Sequence, residues 1–314
     1  MPLDPDARQM VDLLESIAPV PNAHTVAHEY REGRAAGLAE RQVEVIPVDQ
    51  VETFDVEGRN GPVTIRCYRH GSEQGTRPTL LYMHGGGFVT CSIETHDPYC
   101  RTLARETGLT IVSIDYRLAP EHPYPAGFED CLDVLNWAVS DEAKMHGIDR
   151  SRIIVSGDSA GGALAAALAI WARDNGGPPI IHQLLIYPVT LNDFSTASYT
   201  ENAEGFYLTQ EAMRWFWKQY IGQEEGEVDQ FSAPGSASDL SGLPPATIIT
   251  AGYDPLRDDG AKFAARLEEA NVPVVYRDFA GAFHGFAGMF TLDCAQQSLK
   301  FIVEQLKAAV AGTT

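Results

Sequence analysis

The chain has 314 residues, 44% of them hydrophobic, and carries 23 Lys and Arg against 43 Asp and Glu, a formal net charge of −20. That length suits one large α/β domain with a small lid, and no Pro/Gly/Ser-rich linker divides it into two independent units. The acidic balance argues against nucleic acid or an anionic membrane as partner, because both would repel it, and no run reaches the roughly 18 apolar residues of a membrane span.

Residues 5–40 place apolar side chains at helical spacing (Met10, Leu13, Leu14, Ile17, then Tyr30, Ala35 and Leu38), interrupted by Pro19 and Pro21, which predicts two helices with a break. From Val43 to Arg69 the β-branched density and the pair Asn60-Gly61 predict a hairpin that opens the sheet. Strand-like runs at 79–83, 110–114, 152–156, 180–186, 246–251 and 273–279 then alternate with helical ones at 95–106, 125–140, 160–173, 255–270 and 289–310. That alternation predicts a mostly parallel sheet of about eight strands with helices on both faces. Residues 190–245 break the pattern with an aromatic helical stretch, Glu211 to Tyr220, that reads as an insertion. Its three consecutive rings, Trp215, Phe216 and Trp217, cannot all lie on one helix face. Phe206, Tyr207 and Trp215 are the candidates to bound a pocket beneath the insertion, with packing against the N-terminal helices as the alternative. Phe88, Asp158 and Tyr187 are carried as further pocket candidates.

The five cysteines, at 67, 91, 100, 131 and 294, show neither C-x-x-C nor Cys/His ligand spacing, so no metal site is expected. Free thiols point to a reduced compartment. The N-terminal stretch Met1-Pro2-Leu3-Asp4-Pro5-Asp6 has no basic region leading into an apolar run, and the expected location is the cytoplasm.

Chemistry concentrates at the ends of predicted strands. Gly157-Asp158-Ser159-Ala160-Gly161-Gly162 fits Gly-x-Ser-x-Gly where the apolar run at 152–156 gives way to an Ala/Leu-rich stretch. Such a match arises by accident in roughly one chain in ten of this composition, and the alternative is a plain turn with a serine N-cap. Context therefore has to decide. Upstream, the strand at 79–83 runs into His84-Gly85-Gly86-Gly87-Phe88. Three glycines cost backbone entropy and make sense where main-chain N–H groups must approach a ligand. In acyl transfer such donors stabilise the oxyanion, at about 2.7–4 kcal/mol per donor removed. Gly85, Gly86 and Gly87, with the N–H of Ala160, are the candidate donors. Downstream, Asp254 and His284 each follow a predicted strand, in the order serine, acid, histidine. Ser159 is the candidate nucleophile, His284 its base and Asp254 the group that orients the imidazole. Asp254 could instead cap the helix beginning at Pro255, Asp258 and Asp259 compete for the acid role, His284 could be a core or loop histidine, and His182, just before a late strand, competes with it for the base role.

These blocks carry a resemblance. His84-Gly85-Gly86-Gly87-Phe88, the run Asp115 to His122, Gly157 to Gly162, the run Asp254 to Asp258 and His284-Gly285-Phe286 resemble the hormone-sensitive-lipase-like, GDSAG-type esterases of the α/β-hydrolase superfamily. The resemblance implies an α/β-hydrolase fold and hydrolysis of short- to medium-chain carboxylic esters without a cofactor. It also implies a helical cap from residues 1–45 and 189–240 over a core of 46–188 and 241–314, with homodimerisation through the edge strand near 273–279. The Asp115 to His122 block is expected to brace the site from below. Cys91 stands where glycine is usual in that family, which leaves loop flexibility and thiol sensitivity open. An amidase, arylformamidase or other deacylase shares the same triad. A non-catalytic small-molecule receptor would lack the histidine that is present here, and no phosphate-binding glycine motif favours a nucleotide enzyme.

Overall fold

Residues 2–39, 45–72, 75–226 and 228–312 are described by the computed structural model. Helices α1 (Pro5–Ile17) and α2 (Ala27–Ala39) come first, separated by a segment that contains both prolines. Helix α1 buries Ala7, Val11 and Leu14, at i, i+4 and i+7, while Leu13 points outward, so the buried stripe lies one step round from the expected one. Strands β1 (Gln50–Gly58) and β2 (Gly61–Arg69) form the hairpin. Gly58 pairs with Gly61, so the turn is Arg59-Asn60 rather than Asn60-Gly61. The tip is fixed from outside: the Arg59 N–H and guanidinium donate to Asp133 (2.7 and 2.9 Å), and Asn60 donates to Glu129 (2.7 Å).

The rest alternates: β3 (Arg77–Met83), α3 (Ile93–Thr107), β4 (Thr110–Ile114), α4 (Ala126–Trp137), α5 (Asp141–Met145), β5 (Ile148–Asp158), α6 (Ala160–Asn175) and β6 (Ile180–Ile186). The insertion holds α7 (Ala197–Glu201) and α8 (Gln210–Ile221), before β7 (Ala246–Tyr253), α9 (Arg257–Glu269), β8 (Val274–Phe283) and α10 (Asp293–Ala311). One eight-stranded sheet runs in the order β1-β2-β4-β3-β5-β6-β7-β8. It is antiparallel across β1-β2-β4 and parallel from β4 to β8. The central strands β3, β4 and β5 read as continuous apolar runs because both faces are covered. One face packs on α4, α6 and α9 around Leu81, Val155 and Phe263, the other on α1, α3 and α10 around Leu80, Ile154 and Ile302. Helix α6 is buried almost all round, and its alanines let it lie close to the sheet.

Of the element boundaries that differ from the expected ones, two shape the strand ends that carry Asp254 and His284. Strand β8 continues past 279 to Phe283, through a register shift in which Ala251 pairs with Phe279 but Tyr253 with Phe283. The extra residues of β8 cross over Gly252, where a Cβ would lie 2.3 Å from the Ala280 carbonyl oxygen. The residues that follow the last paired positions are Asp254 and His284, so the bulge brings them side by side. Helix α9 starts at Arg257 rather than 255, because the Asp254 carboxylate accepts the Leu256 N–H (2.8 Å) and closes a turn first.

Candidate active site

Strand β5 passes into α6 through Ser159, whose φ of 55° and ψ of −119° lie outside the regions an L-residue favours. That conformation costs on the order of 1–3 kcal/mol and persists only where the surroundings impose it. They do so here. The Ser159 N–H donates to the Ile186 carbonyl (2.8 Å), and its own carbonyl accepts from Val189 (3.2 Å) and Ala163 (3.2 Å). Gly161 lets the first turn of α6 press onto β3: a Cβ there would sit 1.9 Å from the Met83 carbonyl oxygen. The serine is thereby raised into a cavity of about 530 Å³ instead of capping its own helix.

His284 stands between the other two groups. Its Nε2 lies 2.9 Å from Ser159 Oγ and its Nδ1 2.7 Å from Asp254 Oδ2. A carboxylate only accepts, so Nδ1 carries the proton, and Nε2 is left to accept from the serine hydroxyl. Asp254 is fully buried. It serves both readings the sequence left open, with Oδ2 on His284 and Oδ1 on the Leu256 N–H. Asn202, which the sequence did not single out, ties the insertion to this acid by donating to the Asp254 and Gly252 carbonyls (3.1 and 3.2 Å). The competing acids are elsewhere: Asp258 accepts the Ser198 N–H and pairs with Arg257, and Asp259 accepts the N–H groups of Thr190 and Leu191.

The glycine loop lies opposite. Gly85 does not face the cavity as a donor; its N–H donates to Asp158 Oδ1 (2.9 Å), which removes it from the donor set and corrects the expectation. Gly86 and Gly87 take positive φ (115° and 62°), and a Cβ on Gly87 would meet the Phe216 ring at 2.2 Å. The N–H of Ala160 opens α6, where helix geometry supplies no acceptor. The remaining candidate donors are thus Gly86, Gly87 and Ala160. Asp158 is a brace: besides Gly85 it accepts from Tyr82 Oη (2.7 Å) and pairs with His96 Nε2 (3.3 Å). Burial works against its charge, but His96, Tyr82 and Gly85 outweigh it and hold the carboxyl down to about 2. Replacing Asp158 by alanine frees the Gly85 end of the loop, and kcat is expected to fall about tenfold to a hundredfold with KM changed far less; steady-state kinetics on one ester checks this. Below the loop, Tyr116 Oη donates to the His84 carbonyl (2.7 Å) and its ring stacks on the imidazole at 4.3 Å. Arg117 pairs with Asp130 and Glu121 with Arg31.

The pocket differs from expectation in two walls. Phe88, Asp158, Tyr187 and Tyr207 line the cavity; Phe206 and Trp215 do not. Phe206 packs on Tyr253 (centroids 4.7 Å apart) beneath Arg8. Trp215 turns to the N-terminal segment, with Nε1 donating to the Thr25 carbonyl (3.0 Å) and its ring edge-on to Tyr30. The face of α8 that meets the cavity is Met213, Phe216 and Trp217. Their i, i+3, i+4 spacing was readable, but which of two apolar faces looks inward depends on where the helix docks. Cys91 also lines the cavity, and its φ of 71° explains why glycine is usual there. Burial pushes its thiol up, but Arg34 and His96 outweigh that and hold it below its ordinary value.

Two histidines are structural. His182 is buried with Nε2 on Thr247 Oγ1 (2.9 Å), and burial pushes it down to about 4; burial likewise pushes His84 down to about 3. Both stay neutral in the fold while the unfolded chain protonates near 6.5. Stability is therefore complete above that value and is lost on acidification through the window from about 6.5 to about 4 for His182 and to about 3 for His84, at up to about 1.4 kcal/mol per pH unit per histidine. Urea unfolding across that window is expected to show a shallower pH slope for His182→Gln than for the native chain, by up to about one proton. Among the described residues there is no group of three His, Cys, Asp or Glu placed to hold a metal, and no helix long and apolar enough to cross a membrane.

Strand order, elbow and triad geometry define a hydrolase of the α/β type, and comparison with known proteins agrees. A family model described as the α/β hydrolase fold matches residues 80–288. The chain is 45% identical over 251 residues to Esterase LipI of Mycobacterium tuberculosis, covering 78% of this chain and 77% of that one. It is 43% identical over 249 residues to Carboxylesterase NlhH of the same species, covering 77% of each. A solved hyperthermophilic esterase from the archaeon Pyrobaculum calidifontis superposes with a TM-score of 0.91 at 38% identity, covering 99% of both chains. The chain belongs to the α/β-hydrolase fold family, in its hormone-sensitive-lipase-like group of esterases.

Proposed function

We propose that this carboxylic ester hydrolase works through an acyl-enzyme on Ser159. The observation that carries the reading is the unbroken chain from Asp254 through His284 to Ser159, ending in a largely apolar cavity. His284 Nε2 takes the hydroxyl proton as Ser159 Oγ attacks the ester carbon, and Asp254 stabilises the imidazolium that forms. The N–H groups of Gly86, Gly87 and Ala160 receive the oxyanion. His284 then returns the proton to the leaving alcohol, and water enters by the same route in reverse to release the acid. Aromatic walls from Phe88, Tyr207, Phe216 and Trp217 suit short- to medium-chain acyl groups.

Residues 1–45 and 189–240 form the cap in this reading, and 46–188 with 241–314 the hydrolase core. Supporting bonds link the two cap pieces: Arg8 to the Gly205 carbonyl, the Ala23 N–H to Glu211, and Trp215 to Thr25. Strand β8 is an edge with Val275 and Tyr276 exposed, and it is the proposed dimer contact; light scattering that returns a monomer overturns that part. The five free cysteines support a cytoplasmic location.

The test is the initial rate on p-nitrophenyl esters of increasing acyl length, with Ser159→Ala alongside. Hydrolysis that is greatest on short or medium chains and disappears in the variant supports the reading. A folded protein inactive on every ester contradicts it.

A further inference from the structure

Arg34 of α2 lines the same cavity as Ser159 and His284, and its charge is not matched there. Nη1 donates to Tyr207 Oη (2.5 Å) and more weakly to Tyr30 Oη (3.5 Å), both neutral phenols. The Tyr207 hydroxyl spends its own proton on the Ala18 carbonyl (3.3 Å), which turns its oxygen toward the guanidinium. The Nε of Arg34 is buried without a partner, and no carboxylate pairs with this arginine among the described residues. The cavity's own acids are committed elsewhere. Glu94 bonds Arg66 at 2.5 and 3.0 Å, and Asp158 is held by His96, Tyr82 and the Gly85 N–H. A guanidinium cannot shed its charge, and leaving one half-buried among phenols with an idle N–H is costly unless something else supplies the anion. Substrate is what enters this cavity.

Resting on the acyl-enzyme reading above, we infer that Arg34 is a specificity-determining residue that binds a carboxylate on the substrate, so that the preferred esters carry an acidic group on one arm. Arginine presents planar paired donors that fit a carboxylate, and Nη2, which no hydrogen bond among the described residues uses, is the donor left to meet it. The apolar walls then hold the tether between the reacting carbonyl at Ser159 and the carboxylate at Arg34. Cys91 lines the same cavity within Coulombic reach of Arg34 and competes for its charge once deprotonated.

Two matched pairs of probes separate the arms. Mono-p-nitrophenyl glutarate against p-nitrophenyl valerate puts the carboxylate on the acyl side; 4-acetoxybenzoate against 4-methylphenyl acetate puts it on the alcohol side. Rates are read at neutral pH with buffer hydrolysis subtracted, in the native chain, Arg34→Met and Arg34→Lys. In one pair the native ratio of kcat/KM, charged over neutral, is expected to exceed that of Arg34→Met by about tenfold or more, chiefly through KM, with partial recovery in Arg34→Lys. The pair that responds identifies the arm. A native chain that hydrolyses the neutral esters but prefers them in both pairs overturns the inference without any variant, as does a ratio that Arg34→Met leaves unchanged. Loss of all ester hydrolysis in the native chain overturns the parent reading instead.

Discussion

Asp254→Asn is expected to lower kcat by about ten-thousandfold while leaving the fold intact. Asparagine fills the same space, and its amide oxygen can still accept the Leu256 N–H that Asp254 Oδ1 accepts now. Its amide nitrogen then faces Nδ1 of His284 in place of Oδ2, which today lies 2.7 Å away. Two donors cannot share that contact, so the proton moves to Nε2, and the nitrogen 2.9 Å from Ser159 Oγ can no longer accept. His284→Ala removes the base outright and is expected to cost about 10⁴–10⁶ in kcat. Because the three groups act as one unit, the double variant is expected to be no slower than His284→Ala alone; kinetics that multiply the two losses contradict a shared role.

The second large effect is structural. Gly161→Ala places a Cβ 1.9 Å from the Met83 carbonyl oxygen and 2.8 Å from that of His84, so the first turn of α6 and the end of β3 must separate. These are backbone atoms with no side chain to swing aside. A loss of about 3 kcal/mol or more in stability is expected, or about 6 °C or more in Tm. Since β3 leads directly into Gly86 and Gly87, the proposed donors, kcat is expected to fall at least about a hundredfold in whatever folds. Gly33→Ala is the control: nothing lies within 4 Å of its Cβ position in α2, and the added methyl is expected to stabilise slightly, by about 0.5–1 kcal/mol. Thermal melts of the two variants side by side read the difference.

The proposed reacting groups were legible because each sits in a short segment that also dictates its own backbone. The glycines around Ser159 announce a tight strand-to-helix turn, the run Gly85 to Gly87 a loop without side chains, and Asp254 and His284 the ends of apolar strands. What the sequence hid depends on tertiary placement. The expected end of the last strand near 279 missed four residues, because Ala280 and Gly281 read as a loop when the Gly252 crossing makes them part of β8. Gly85 looks like a donor to substrate until Asp158 is found beneath it. Trp215 and Phe216 are neighbours in sequence with similar apolar character, yet one anchors the N-terminal segment at Thr25 and the other closes over Gly87. Arg34 attracted no notice within an amphipathic stretch, since a cation on a helix is ordinarily solvated; only the cavity it lines gives it meaning.

The most direct measurement is intact and peptide mass spectrometry after reaction with a p-nitrophenyl alkylphosphonate, read against residual esterase activity. The phosphorus is attacked by the nucleophile and p-nitrophenolate leaves, so one phosphonyl group stays on the protein. One adduct per chain on the peptide containing Ser159, appearing in step with loss of activity and absent from Ser159→Ala, is the expected result. An adduct on another residue that tracks inactivation, or esterase activity retained by Ser159→Ala, would show that the chemistry does not run through this serine.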